Sequence, residues 1–134
     1  MTLDREKSVS LTLRGFGAPA QDVADLVGRV PKSVGNRGEP VKQGVKTLLT
    51  RSYVAFSMSF ANDHALCNML PALLEHLGGV EHLCQVRDQV KAEFVDIHFY
   101  LPAMTSGESQ DGYLSRAAVS DIVQLKATPS FGFF

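Results

Sequence analysis

The chain lacks several features that mark a protein for a particular compartment or partner. It has no tryptophan and only two cysteines in 134 residues, and Cys67 and Cys84 form no CxxC pattern. No apolar run approaches the roughly 20 residues that span a bilayer, and the first ten residues carry charges instead of an apolar stretch. These absences argue against a secreted or membrane protein and predict a cytoplasmic chain with free thiols.

The chain also has no large excess of charge of either sign, because the formal net charge is −1. A dedicated nucleic-acid binder is usually strongly basic, so nucleic acid is not the expected partner. The distribution is uneven, since the segment 29–51 contains six basic residues and a single acidic residue, Glu39. Four of the basic residues define a predicted anion-binding or partner-binding loop: Arg29, Lys32, Arg37 and Lys42.

Three segments alternate apolar and polar residues with the two-residue period of a strand that has one buried face. They cover residues 8–14, Tyr53–Phe60 and Phe94–Leu101. Residues 45–50 are expected to form either a further short strand or part of one bent strand with the second segment. A short aromatic strand is predicted at residues 131–134.

Apolar residues at helical spacing predict helices over residues 19–28, 62–77 and 80–91 and a further helix after Ser115. In the last of these, Val119, Ile122 and Val123 are the expected inward positions. Pro71 is expected either to bend the second helix or to mark its true start. Breakers predict an irregular loop over residues 30–44, and residues 103–112 are expected to form a polar loop.

Together these patterns predict one α+β domain over residues 1–134, built as a two-layer sandwich. Helices cover one face of a four- or five-stranded, mostly antiparallel sheet. Two arrangements stay open. One is ferredoxin-like, and the other consists of two duplicated strand-helix-strand halves, because DVADLVGRVP and AVSDIVQLKATP are similar strings.

The string LTLRG, followed by a turn and then by DVADLVG, VP and NRGEP, resembles a bacterial family catalogued as domain of unknown function 4279. The matching positions are Leu13, Arg14, Gly15, Leu26, Gly28, Pro31, Gly38 and Glu39. The resemblance covers nearly the whole chain and implies an α+β fold and a bacterial source, with no activity to carry over. The chain departs from the family at one place. The family commonly has a tryptophan after the Gly-Glu loop, whereas this chain has Leu48 or Leu49 near that position.

Two familiar site patterns are present in part. Residues 15–20, GFGAPA, match the G-x-G-x-x-A dinucleotide fingerprint between a strand and a helix. The preceding strand alternates, whereas the first strand of a dinucleotide-binding fold is apolar on both faces, so a plain tight turn is expected. The chain also contains residue types that bind zinc, at His64, Cys67, His76, His82 and Cys84. Their helical positions diverge, so no metal or cofactor is predicted.

The polar side of the predicted sheet is the main candidate site. With the strands in register, five side chains point the same way: Arg14, Tyr53, Asp96, His98 and Tyr100. Small neighbours such as Ser10 and Ser57 leave room above them for a small polar ligand, a protein partner or a second copy of the chain.

No catalytic residues are assigned, because no nucleophile has a recognisable setting. The favoured function is therefore a non-enzymatic binding or interaction module, of an immunity-like or regulatory kind. The alternative is a small-molecule enzyme in which His98 and Asp96 on the polar sheet face act as acid and base.

Overall fold

The computed structural model describes residues 6–102 and 112–134. Within these ranges, five strands and four α-helices form two layers. The strands are β1 (Lys7–Arg14), β2 (Ser33–Gly35), β3 (Tyr53–Phe60), β4 (Phe94–Leu101) and β5 (Ala127–Phe133). The helices are α1 (Ala20–Val27), α2 (Met69–His76) preceded by a 3₁₀ turn (Leu66–Asn68), α3 (Val80–Val90) and α4 (Arg116–Gln124).

The sheet has the strand order β2-β3-β1-β4-β5 and is antiparallel except for the parallel pairing of β4 with β5. Strand β3 lies between β1 and β2, and β1 lies between β3 and β4. The units β1-α1-β2 and β3-α2-α3-β4 are therefore each split by an antiparallel strand that lies between their two strands. This is the ferredoxin-like arrangement. Strand β5, which follows α4 in the chain, extends the sheet at its β4 edge. The predicted α+β two-layer sandwich is confirmed.

The two similar helical strings lie in units of different topology. Strands β1 and β2, which flank α1, are separated by β3, whereas β4 and β5, which flank α4, are direct neighbours. One unit is thus split and the other is not. The topology fits the ferredoxin-like alternative better than two duplicated halves.

One hydrophobic core lies between the sheet and the helices. The apolar sides of β1, β3 and β4 meet there through Leu11, Phe56 and Ile97, each at most 2% exposed. Helices α1 and α2 contribute Val23 and Leu73 to the same cluster. Since truncating one such leucine to alanine typically costs about 2–5 kcal/mol, this shared core holds three distant segments in a single sheet.

Residues 45–50 do not form the expected strand. Their one ladder contact is an isolated bridge between Pro40 and Leu48. The edge strand β2 forms instead within the predicted loop over residues 30–44, at Ser33–Gly35. Its three residues pair with β3 from Tyr53 to Ala55. The backbone groups of β3 therefore find hydrogen-bond partners in a strand that the local side-chain pattern does not predict.

The inward face of α4 also differs from the prediction. Val119 and Val123 are 46% and 70% exposed, whereas Ala118, Ile122 and Leu125 are buried. Ala118 and Ile122, together with Leu125 just beyond the helix, form the side of α4 that belongs to the core. Of the three predicted inward positions, only Ile122 is correct.

Helix ends follow backbone chemistry closely. Helix α1 ends at Gly28, which has φ +89° and donates its N–H to the Ala24 carbonyl, as expected of a glycine cap. Helix α2 begins at Met69, so Pro71 lies in its first turn, where a proline N–H is not needed. Pro71 therefore marks the start of the helix. Of the predicted polar loop, residues 103–111 lie outside the described residues.

Lys7 is an exception on the apolar side of β1. The residue is only 4% exposed and lies opposite Phe60 in the ladder. Burial lowers the pKa of its ammonium group, and the nearby Asp63 carboxylate offsets part of this effect. A lowered pKa means that folding disfavours the charged form of this lysine. The free energy of unfolding is therefore reduced at neutral pH, and the reduction disappears above the unfolded pKa.

We expect Lys7→Met to stabilise the protein at pH 7 by on the order of 1 kcal/mol, because the methionine keeps the apolar stem and removes the buried charge. The gain should shrink as the pH rises toward the unfolded pKa of lysine, near 10.4. Urea unfolding at several pH values measures both effects, with exposed Lys46→Met as the control. A clear loss of stability in Lys7→Met at pH 7 would show that the ammonium group is satisfied in the fold.

Candidate functional site

All five side chains of the predicted sheet-face site lie on the side of the sheet opposite the helices. Their positions alternate with the buried residues of β1, β3 and β4. We call this polar side of β1, β3, β4 and β5 the open face. The ladder places Arg14 opposite both Tyr53 and Phe94, Thr12 opposite Asp96, and Ser10 opposite His98.

The middle of the open face consists of small hydroxyl side chains. Ser8 and Ser10 of β1 lie opposite Ser59 and Ser57 of β3, and Thr12 lies opposite Ala55. On the other side of β4, Thr128 and Ser130 of β5 continue the same rows. Because these side chains are small, the face is low in relief. It can still make many polar contacts, because hydroxyl groups both donate and accept hydrogen bonds.

One end of the open face is organised around Phe94. Arg14 donates from Nε to Asp96 Oδ2 at 2.7 Å, which ties β1 to β4 across 82 residues of sequence. The guanidinium groups of Arg14 and Arg51 also lie over the Phe94 ring, 5.3 and 5.0 Å from its centroid. Because the Arg14 and Asp96 side chains are 44% and 32% exposed, the ion pair is worth at most about 1 kcal/mol and serves mainly to orient both groups.

The other part of the site is built around His98. A 2.6 Å hydrogen bond joins its Nδ1 to Ser130 Oγ of β5. Its ring meets the Tyr100 ring edge-on, with centroids 4.7 Å apart. Gly132 makes room for this arrangement, because a Cβ at that position would lie 2.8 Å from His98 Nε2.

Asp96 and His98, the predicted acid and base of the enzyme alternative, are each hydrogen-bonded to a neighbouring strand. Asp96 accepts a hydrogen bond from Arg14 of β1, and His98 is hydrogen-bonded to Ser130 of β5. Each member of the predicted couple is therefore engaged by a neighbouring strand, and the two lie side by side on β4 without a bond between them in the described structure.

The predicted basic loop is distributed over several surfaces. Arg29 donates from Nε to the His76 carbonyl at 2.7 Å, at the carboxyl end of α2, where a cation is favourable. Lys32 lines a shallow hollow on the open face with Ser59 and Tyr100. Arg37 lines a cleft beside the turn after β1, and Lys42 lies in the tight turn that its carbonyl closes with the Val45 N–H.

Sequence reasoning missed two contributors to the site, Ser130 and Arg51. Ser130 sits in β5, whose full extent was hidden because Pro129 interrupts a strand-like pattern. The alternation of Thr128, Ser130 and Gly132 is the signal that could have located it. The sequence predicts Arg51 only as one of the basic residues of the segment 29–51, because its stacking on Phe94 depends on the pairing of β1 with β3 and β4.

Among the described residues, no three His, Cys, Asp or Glu side chains are grouped closely enough to hold a metal ion. No helix in the same ranges combines the length and apolar character needed to cross a membrane. Comparison of the chain with protein-family models, curated proteins and solved structures gives no match. The family resemblance of the sequence stays a prediction.

We expect Gly132→Ala to displace the His98 ring, because the added methyl group would overlap Nε2. Losing the Ser130 hydrogen bond should cost about 1 kcal/mol of stability and shift the His98 imidazole resonances in NMR spectra. Gly17→Ala is the matched control, since its Cβ would meet no atom within 4 Å. Unchanged His98 resonances in Gly132→Ala would contradict this packing.

Proposed function

We propose that this domain is a non-enzymatic interaction module that binds a protein partner across the open face. The observation that carries the proposal is a broad sheet surface that no helix in the described ranges covers, and its centre consists of small hydroxyl side chains such as Ser10 and Ser57. An immunity-like or regulatory role, in which the module neutralises or controls its partner by surface complementarity, is the specific form that we favour.

The relief of the open face favours a protein over a small molecule. Small-molecule sites are typically concave and mostly apolar, whereas a non-obligate protein interface is about as polar as the rest of the protein surface. The rows that run from Ser57 through Ser10 to His98 and Ser130 contain polar side chains of modest size. A partner could lie across these rows without entering a pocket.

Aromatic and arginine side chains at the margins supply the contacts that usually dominate binding energy. Phe94 and Tyr100 are 42% and 48% exposed, and Tyr53 lies beside Arg14 in the ladder. Arg14 is already oriented by Asp96 and Phe94, so less conformational entropy is lost when a partner binds.

A second copy of the chain is the alternative partner, and a different observation favours it. Phe131 and Phe133 of β5 are 46% and 57% exposed, and residues 127–133 contain no charged side chain. Exposed edge strands usually carry charges that discourage pairing with another chain. An uncharged aromatic edge therefore suits a contact between two copies.

We also propose a bacterial, cytoplasmic setting for the module. Cys67 and Cys84 are free thiols in the structure, as is usual in a reducing compartment. The bacterial source follows from the resemblance of LTLRG, DVADLVG and NRGEP to the family named above.

The test is affinity purification from the native host with the wild-type chain and with a Ser10→Arg/Ser57→Arg variant. The two serines are cross-strand neighbours at the centre of the open face, so two bulky charges there should abolish recovery of a specific partner. Ser120→Arg, on the exposed side of α4, should recover the partner as well as wild type does. Circular dichroism confirms that each variant is folded.

Loss of a partner in the open-face variant alone supports the proposal. Equal recovery by all three chains would contradict it, as would recovery of no partner with a strictly monomeric mass. A concentration-dependent dimer mass that disappears in Phe131→Ser/Phe133→Ser would assign the interface to β5 and replace the proposed partner with a second copy.

A further inference from the structure

Two features that are separate in the sequence meet in one cleft. The turn after β1, Gly15 to Gly17, forms one wall, and the segments around Arg37 and Arg51 form the other. Two adjoining hollows of about 210 and 570 Å³ share Phe16, Gly17, Arg37 and Ser52 in their linings. The glycine turn that matches part of a dinucleotide fingerprint therefore faces the most basic segment of the chain.

Ser52 fixes this juxtaposition. It is 6% exposed, its carbonyl accepts the Gly15 N–H at 2.9 Å, and its Oγ accepts the Arg37 N–H at 2.9 Å. One buried residue thus joins the turn and the Arg37 loop. Gly15 has φ +80°, and a Cβ there would lie 2.8 Å from Glu93 Cβ, so the turn needs glycine for both conformation and space.

The two arginines are available for a ligand to different degrees. In the described structure the Arg37 guanidinium has no hydrogen-bond or ion-pair partner, and Arg37 is exposed. Arg51 is held over the Phe94 ring, and its Nε lies 3.7 Å from Glu93 Oε2, which is a loose ion pair. Both arginines are among the residues that line the smaller hollow.

We propose that this cleft binds a phosphate group, either inorganic phosphate or the phosphoryl end of a small phosphomonoester. Paired guanidinium groups recognise phosphate oxygens through forked, charge-assisted hydrogen bonds. The larger hollow beside Phe16 and Pro19 would take the body of an ester. The amino end of α1 is not the source of binding, because Asn36 Oδ1 already accepts its first N–H, that of Ala20, at 2.8 Å.

Glu93 has a defined place in this proposal. Glu93 lines the smaller hollow, and its Oε2 lies 3.7 Å from Arg51 Nε, so its carboxylate competes with an incoming anion for the same guanidinium group. Neutralising it should strengthen phosphate binding, whereas neutralising either arginine should weaken it. Opposite effects from two residues of one ion pair are difficult to produce by a general change in folding.

The experiment is a calorimetric or NMR titration of the full chain with inorganic phosphate at pH 8 and constant ionic strength, with chloride as the blank. We expect saturable binding with a dissociation constant of about 1 mM or tighter. Arg37→Gln and Arg51→Gln should each weaken it by about tenfold, and Glu93→Gln should strengthen it about threefold. The control is Lys46→Gln, which makes the same charge change at an exposed position of the same segment and should alter binding less than about twofold.

A parallel titration with ribose 5-phosphate separates the two sources of the phosphate group. Tighter binding than inorganic phosphate would assign the site to an ester whose body fills the larger hollow, and equal or weaker binding would assign it to free phosphate. Absence of saturation for both probes up to about 20 mM would overturn the proposal. Equal weakening by the lysine and arginine variants would also overturn it, because binding would then reflect only net charge.

Discussion

The structure depends on one constraint, the burial of alternate side chains along β1, β3 and β4 against a single layer of helices. Leu11, Phe56 and Ile97 are the central members of that buried set. Because the side-chain period of a strand is two, burying these residues sends every intervening residue to the opposite face. The open face is therefore a consequence of the core, and its composition was free to become polar.

The central position of β1 converts this constraint into a site. The strand pairs with β3 on one side and β4 on the other, and so aligns residues that are distant in sequence. Arg14 meets Asp96, and the same end of the sheet brings Arg51 over Phe94. The turn that leaves β1 then meets Ser52 just before β3 begins, which forms the Arg37 cleft beside the open face. Both proposed binding surfaces thus derive from the neighbours of one strand.

The parts of the fold that were predictable from sequence are those specified by local patterns. Alternation located β1, β3 and β4 and correctly assigned Arg14, Asp96 and His98 to one face. Gly28 marked the end of α1 through backbone chemistry. Of the two roles open to Pro71, a bend or a helix start, the structure shows the start. These features depend on a few neighbouring residues, so a single sequence contains enough information to place them.

The parts that were not predictable depend on contacts between distant segments. Strand β2 pairs with the edge of β3, and the side of α4 that enters the core is the one with Ala118 and Ile122. The bonds of His98 to Ser130 and of Asp96 to Arg14 follow from strand order, which periodicity does not encode. The Arg37 cleft has the same origin, because neither the glycine turn nor the basic segment specifies the other.

The most direct test of the central claim is thiol accessibility along β1 in a Cys67→Ser/Cys84→Ser background. Single cysteines are placed at each position from 8 to 13, and their reaction with a maleimide is followed in the native protein. The two-layer structure predicts a two-residue alternation, with fast labelling at positions 8, 10 and 12 and strong protection at 9, 11 and 13. Uniform labelling, or protection on both sides of the strand, would contradict an open face and a core confined to the other side.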